Sequence, residues 1–114
     1  QNLARSLAAS YNNALHEFDA LVWPTTPMKA QEIPPPDAPL EVKIRKTIEM
    51  ITNTCPLNIT GHPAVTVPCA MSEGLPVGMM FAGKMADEAM ILRIADAFQR
   101  NIFATPTPSA SKKK

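Results

Sequence analysis

Long apolar runs, surplus charge and cysteine are all scarce in this 114-residue chain, and each shortage removes a class of function. No stretch approaches the roughly 18 consecutive apolar residues of a membrane span, and no charged-then-apolar leader stands at the N-terminus. A net charge of +1 supplies no basic field for nucleic acid or an anionic membrane surface. Two cysteines, Cys55 and Cys69, are too few for a disulfide framework and too far apart for a CxxC redox or zinc pair. Each reads as a small buried hydrophobe, and a reducing cytoplasm is the expected compartment. Only four glycines are present, with no Gly-rich phosphate loop, and the carboxylates do not pair as in a glycosidase. Nucleophilic catalysis needs an activated Ser, Cys, Thr or Lys beside a base. The serines are Ser6, Ser10, Ser72, Ser109 and Ser111, and none lies in a glycine-rich elbow.

What is present is an ordinary globular balance, 46% apolar and 18% charged, punctuated by twelve prolines. Leu3, Leu7, Tyr11, Leu15 and Phe18 recur at helical spacing and predict a helix over residues 2–18. Ala20 to Trp23 is a short apolar run stopped by Pro24, and reads as a buried strand. Thr25, Thr26 and Pro27 follow at its end, where α/β sheets place substrate-facing groups. The same threonines read equally well as turn residues that satisfy backbone groups.

Gln31 to Pro39 favours extended polyproline geometry, as a surface excursion or an SH3-type ligand. Leu40, Ile44, Ile48 and Ile51 predict a second helix over 40–54, ended by Pro56. Pro63 and Pro68 bracket a β-branched run, Ser72-Glu73-Gly74 reverses the chain, and Val77 to Ala82 is apolar like a strand covered on both faces. Gly61 is expected to supply a positive φ at a tight turn. His62 has no carboxylate or cysteine at ligand spacing and reads as structural. Asp87 is a candidate N-cap for a third helix, whose face is Ile91, Ile94, Ala95 and Phe98. Residues 1–104 thus form the ordered part, and 105–114, rich in Pro, Ser and Lys, read as a disordered tail. The chain opens on Gln1 with an apolar helix, and the expectation is a piece of something longer.

Three stretches in order carry a family resemblance: Asp19-x-Leu21-Val22-x-Pro24-Thr25-Thr26-Pro27, then Asn58-x-Thr60-Gly61-x-Pro63-Ala64 with Gly74-Leu75-Pro76-Val77-Gly78, then Asp87-Glu88-x-x-Ile91-Leu92. Over roughly residues 15 to 100 the chain resembles the C-terminal part of amidase signature enzymes. The resemblance implies part of a layered α/β fold, with a mixed sheet of about three strands flanked by helices. It also implies hydrolysis of a carboxylic amide by a serine nucleophile, a second serine on a cis peptide and a lysine.

The segment carrying those serines has no match here, so no catalytic residue is assigned, and neither cofactor nor metal is implied. By resemblance, Thr25, Thr26, Pro27, Cys55, Pro56, Leu57 and Asn58 lie near the acyl side of the substrate pocket. The implied partners are a small-molecule amide and the rest of an amidase chain, with a homodimer as one arrangement of the full-length enzyme; nucleic acid and membrane are not among them. Met79, Met80 and Phe81 favour a free-standing amidase over the catalytic part of a tRNA-dependent amidotransferase. A non-enzymatic interaction module, using the proline stretch and Lys112 to Lys114, is the other class of reading.

Overall fold

The computed structural model describes residues 2–102, as four helices and three strands: α1 (Asn2–Glu17), β1 (Leu21–Pro24), α2 (Leu40–Ile51), α3 (Cys55–Thr60), β2 (Ala64–Ser72), β3 (Leu75–Ala82) and α4 (Glu88–Ile102). The tail expected at 105–114 lies outside the described residues. β3 runs between β1 and β2 and pairs antiparallel with both, with Val22 opposite Phe81 and Val65 opposite Phe81. The α/β class and the three flanked strands agree with expectation. The pairing is antiparallel throughout rather than mixed, because β2 and β3 are joined by a two-residue turn that leaves no room for a crossover. Glu73 (φ 53°) and Gly74 (φ 78°) have the two positive φ values of a type I′ turn, which matches the twist of the strands it joins.

Prolines sit where the ladder can spare a donor. Pro68 does not end β2; the strand passes through it on the outer side of the sheet, with an irregularity between Pro68 and Ala70 that absorbs the lost bond. Pro56 likewise does not simply end a helix. It falls in the first turn of α3, where the amide it lacks would be unsatisfied anyway. The expected helix over 40–54 therefore stops at Ile51, and a second short helix closes at Gly61, in the left-handed region at φ 77°.

Alternation of side chains along β3 divides the core in two. On one face Phe81 packs with Val67, Ile91 and Ala95, so the face of α4 chosen by periodicity is the one on the sheet. Phe81 and Phe98 meet edge to face, with ring centroids 5.4 Å apart. On the other face Met80 and Ala82 pack with Leu57 of α3, flanked by Tyr11 of α1 and Trp23 of β1. The carboxyl half of β3 is thus covered on both sides, as its unbroken apolar run implies. β1 is covered on one side only: Leu21 and Trp23 are partly buried, while Val22 is more than half exposed. Among the described residues no helix is long and apolar enough to cross a membrane.

Candidate functional site

The last strand bond of β1 places the first candidate residue. Thr25 N donates to Gly78 O at 2.9 Å, and the Thr25 hydroxyl lies 3.2 Å from that of Thr66 across the sheet. A Cβ on Gly78 would come within 2.9 Å of Thr25 Oγ1, so glycine leaves the room that the threonine pair occupies. One residue on, Thr26 Oγ1 donates to Met28 O at 2.8 Å and turns the chain away from the sheet. The turn opens a cleft of about 650 Å³ whose walls include Thr26, Pro27, Met28, Lys29, Met50 and Val77. Its rim is tied by Lys29 Nζ to Glu73 Oε2 at 2.8 Å, which joins the loop after β1 to the tip of the β2–β3 hairpin.

The structure brings Thr26 and Pro27 into one cleft, with Thr25 beside it. Cys55, Pro56, Leu57 and Asn58 form α3 instead and line none of that cleft. Leu57 is 5% exposed and packs on Met80 and Ala82, Cys55 and Pro56 are half-buried, and Asn58 is exposed. The link between the two groups is Asn53, which no motif in the sequence singles out. Its Nδ2 donates to Pro24 O at 2.8 Å, and its carbonyl accepts from Trp23 Nε1 at 3.3 Å. A lone asparagine between Ile51 and Pro56 was the available signal, since short polar side chains in such turns commonly bond backbone groups.

His62 is buried between α1 and the start of β2. Asn12 Oδ1 accepts from its Nε2 at 3.2 Å, and the Thr60 hydroxyl donates to its Nδ1 at 2.9 Å. The Tyr11 ring stands 5.4 Å away, centroid to centroid. Burial pushes the imidazole below its ordinary pKa and keeps the ring neutral. Both nitrogens are spent on holding α1 to α3, a structural role.

Among the described residues no three His, Cys, Asp or Glu side chains group to hold a metal ion. Ser10 donates to Ser6 O within α1, and both cysteines are free thiols. The walls of the cleft are mostly apolar, with Thr26 and Lys29 as their polar members.

Comparison with known proteins gives the family. The family described as Amidase matches residues 1–92. The chain is 43% identical over 109 residues to an uncharacterized protein in the nthA 5′ region of Rhodococcus erythropolis, covering 96% of this chain and 55% of that protein. It is 42% identical over 109 residues to the enantioselective amidase of Rhodococcus rhodochrous, covering 95% of this chain and 21% of that enzyme. A glutamyl-tRNA(Gln) amidotransferase protein of Thermotoga maritima superposes with a TM-score of 0.69 at 30% identity, over 88% of this chain and 21% of that one. The chain therefore spans about half the length of one of these relatives and about a fifth of the others. With 92 of its 114 residues matched, the chain belongs to the amidase family.

Proposed function

We propose that this chain is the C-terminal part of an amide hydrolase, which converts a carboxylic amide to the acid plus ammonia or an amine. Residues 1–104 supply scaffold and part of the acyl-side pocket, with 105–114 as a tail. The observation that carries this reading is the 42% identity to the enantioselective amidase of Rhodococcus rhodochrous over nearly all of this chain but a fifth of that enzyme. The serine nucleophile, second serine and lysine of the resemblance then belong to the remaining four-fifths. This chain's share is orientation: the cleft at Thr26 and Pro27, walled by Met28, Met50 and Val77, takes an apolar acyl group by burial, at about 25 cal/mol per Å². Such burial sets preference among amides and leaves the rate to the serine part. Free thiols at Cys55 and Cys69 support a cytoplasmic setting.

A second reading, part of a tRNA-dependent amidotransferase, is favoured by the superposition on the Thermotoga maritima protein at 30% identity. The match to the glutamyl-tRNA(Gln) amidotransferase protein of Syntrophomonas wolfei at 37%, against 42% for the amidase, supports the hydrolase first.

The test is a graft. Residues 1–114 replace the matching segment of the Rhodococcus rhodochrous amidase, and hydrolysis of a series of amides is followed. The expected result is a folded chimera with kcat/KM within about tenfold of the parent, about 1.4 kcal/mol in barrier, and no turnover by the 114-residue chain alone. A folded chimera without amide hydrolysis contradicts the proposal. Glutamine-dependent ammonia transfer in place of free hydrolysis selects the second reading.

A further inference from the structure

α2 is held from one side and bare on the other. On the held side Lys43 Nζ donates to Pro36 O and Lys46 Nζ to Glu32 O, each at 2.7 Å. These two ammonium groups clip the proline-rich strap, residues 29–39, along the helix. At 3.6 residues per turn, Val42, Lys43, Lys46 and Glu49 share that side, and Leu40, Ile44, Ile48 and Ile51 lie roughly 150° around the helix from it. Those four are 71%, 47%, 57% and 48% exposed. No charged side chain falls within the stripe, although Glu41 and Arg45 border one flank. A helix normally turns such a stripe toward a core. Here the polar side faces the strap, and the apolar side faces outward.

The overall dimensions fit the same picture. The radius of gyration is 17.0 Å, against about 13 Å for a compact domain of this length, and the shortest extent is 18 Å. That is a flattened shape, in which much apolar surface stays near solvent. Among the described residues β1 pairs with no strand but β3 and lies at the edge of the sheet, and Val22 on it is uncovered. The turn after α2 is fastened to this same strand through Asn53.

We propose that the stripe of Leu40, Ile44, Ile48 and Ile51 is the docking face for the remainder of an amidase domain, presenting an apolar helix or sheet surface. This rests on the reading under Proposed function and adds to it where the two parts meet. The length comparison supports this occupant: nearly all of this chain aligns with an amidase of which it spans 21%, so a partner surface of ample size exists in that relative. The uncharged stripe argues the same way, because a nucleic acid or an acidic peptide would need cations on it. The strap, clipped on the opposite side, leaves the stripe clear.

The test reads burial directly. Ile44→Cys and Ile48→Cys are made singly in the 114-residue chain and in the amidase chimera, with Leu92→Cys as the control on the outer side of α4, where Leu92 is 62% exposed. Labelling by a thiol reagent is timed and located by peptide mass spectrometry, so that Cys55 and Cys69 are followed separately. At positions 44 and 48 labelling is expected to be at least ~10-fold slower in the chimera than in the chain alone, with position 92 equally fast in both. Equal rates at 44 and 48 in a chimera that hydrolyses amides overturn the docking face and leave the proposed function standing. Labelling already slow in the chain alone, and slower as its concentration rises, shows a second copy on the stripe and overturns the stated occupant. A chimera that folds but does not hydrolyse amides removes the proposed function, and the docking face with it.

Discussion

The β2–β3 hairpin with α4 and the α2 helix with its strap are built from the same kinds of residue, yet only the first closes on itself. In the hairpin region Val67, Phe81, Ile91 and Ala95 are buried against one another, and the apolar face of α4 has found its partner. In the α2 region no side chain is buried, and the isoleucines that should anchor the helix face outward. Periodicity is equally good in both. The difference is therefore one of available surface: a helix follows its own pattern only as far as something apolar is there to receive it. The bonds that hold α2 are polar: Lys43 and Lys46 donate to strap carbonyls, Gln31 of the strap donates to Glu49, and Asn53 in the turn after the helix donates to β1.

Damage to the closed region is expected to cost most. Phe81→Ala removes the side chain shared by Val67, Ile91 and Phe98 and should lower stability by roughly 3–5 kcal/mol, read from urea unfolding of the 114-residue chain. Gly61→Ala forces a side chain into the left-handed region at the end of α3 and should cost about 1–2 kcal/mol in the same measurement. Between the two regions, His62 gives a pH signature. Burial lowers its folded pKa, so the unfolded chain takes up a proton first as the pH falls. Its contribution is intact above about 6.5, the ordinary imidazole value, and is lost as the pH drops below it. A His62→Gln variant should show a flatter stability profile across that window. The smallest effect belongs to the open region: Ile48→Ser should change the stability of the chain alone by less than about 0.5 kcal/mol, because the side chain is already in water. A loss comparable to that of Phe81→Ala would erase the contrast.

Much of the fold was legible because periodicity is a local property. The face of α4, the hairpin turn at Glu73-Gly74, the positive φ of Gly61 and the double cover of the carboxyl half of β3 all follow from spacing or from a single residue's steric needs, whereas the stripe expected on α1 packs only through Leu7, Tyr11 and Leu15, with Leu3 and Phe18 exposed at its ends. Pro56 and Pro68 read as terminators in the sequence, and both sit inside an element, one in a first helical turn and one on a sheet edge. Sequence shows that proline lacks a donor and does not show whether the fold needed one there. The resemblance puts Leu57 at a pocket wall, whereas it lies in the core; a six-residue helix has too little periodicity to reveal its buried side. Pro24, read as the stop of the strand, is the last residue of β1 and pairs with Met79; the ladder makes one more bond, from Thr25 N to Gly78 O, before Thr26 and Pro27 turn into the cleft. The other wall, Met50 and Val77, comes from residues far apart in the chain and required the fold.

The contrast between the two regions is most directly tested by amide hydrogen exchange on the 114-residue chain, resolved by peptide. The account predicts strong protection across β3 and the central turns of α4, and α2 amides that exchange far faster, close to the fraying limit for a helix without a packed face. Protection of residues 44–51 equal to that of residues 79–82, at a concentration where the chain is monomeric, would contradict it, since α2 would then have a partner within the chain itself.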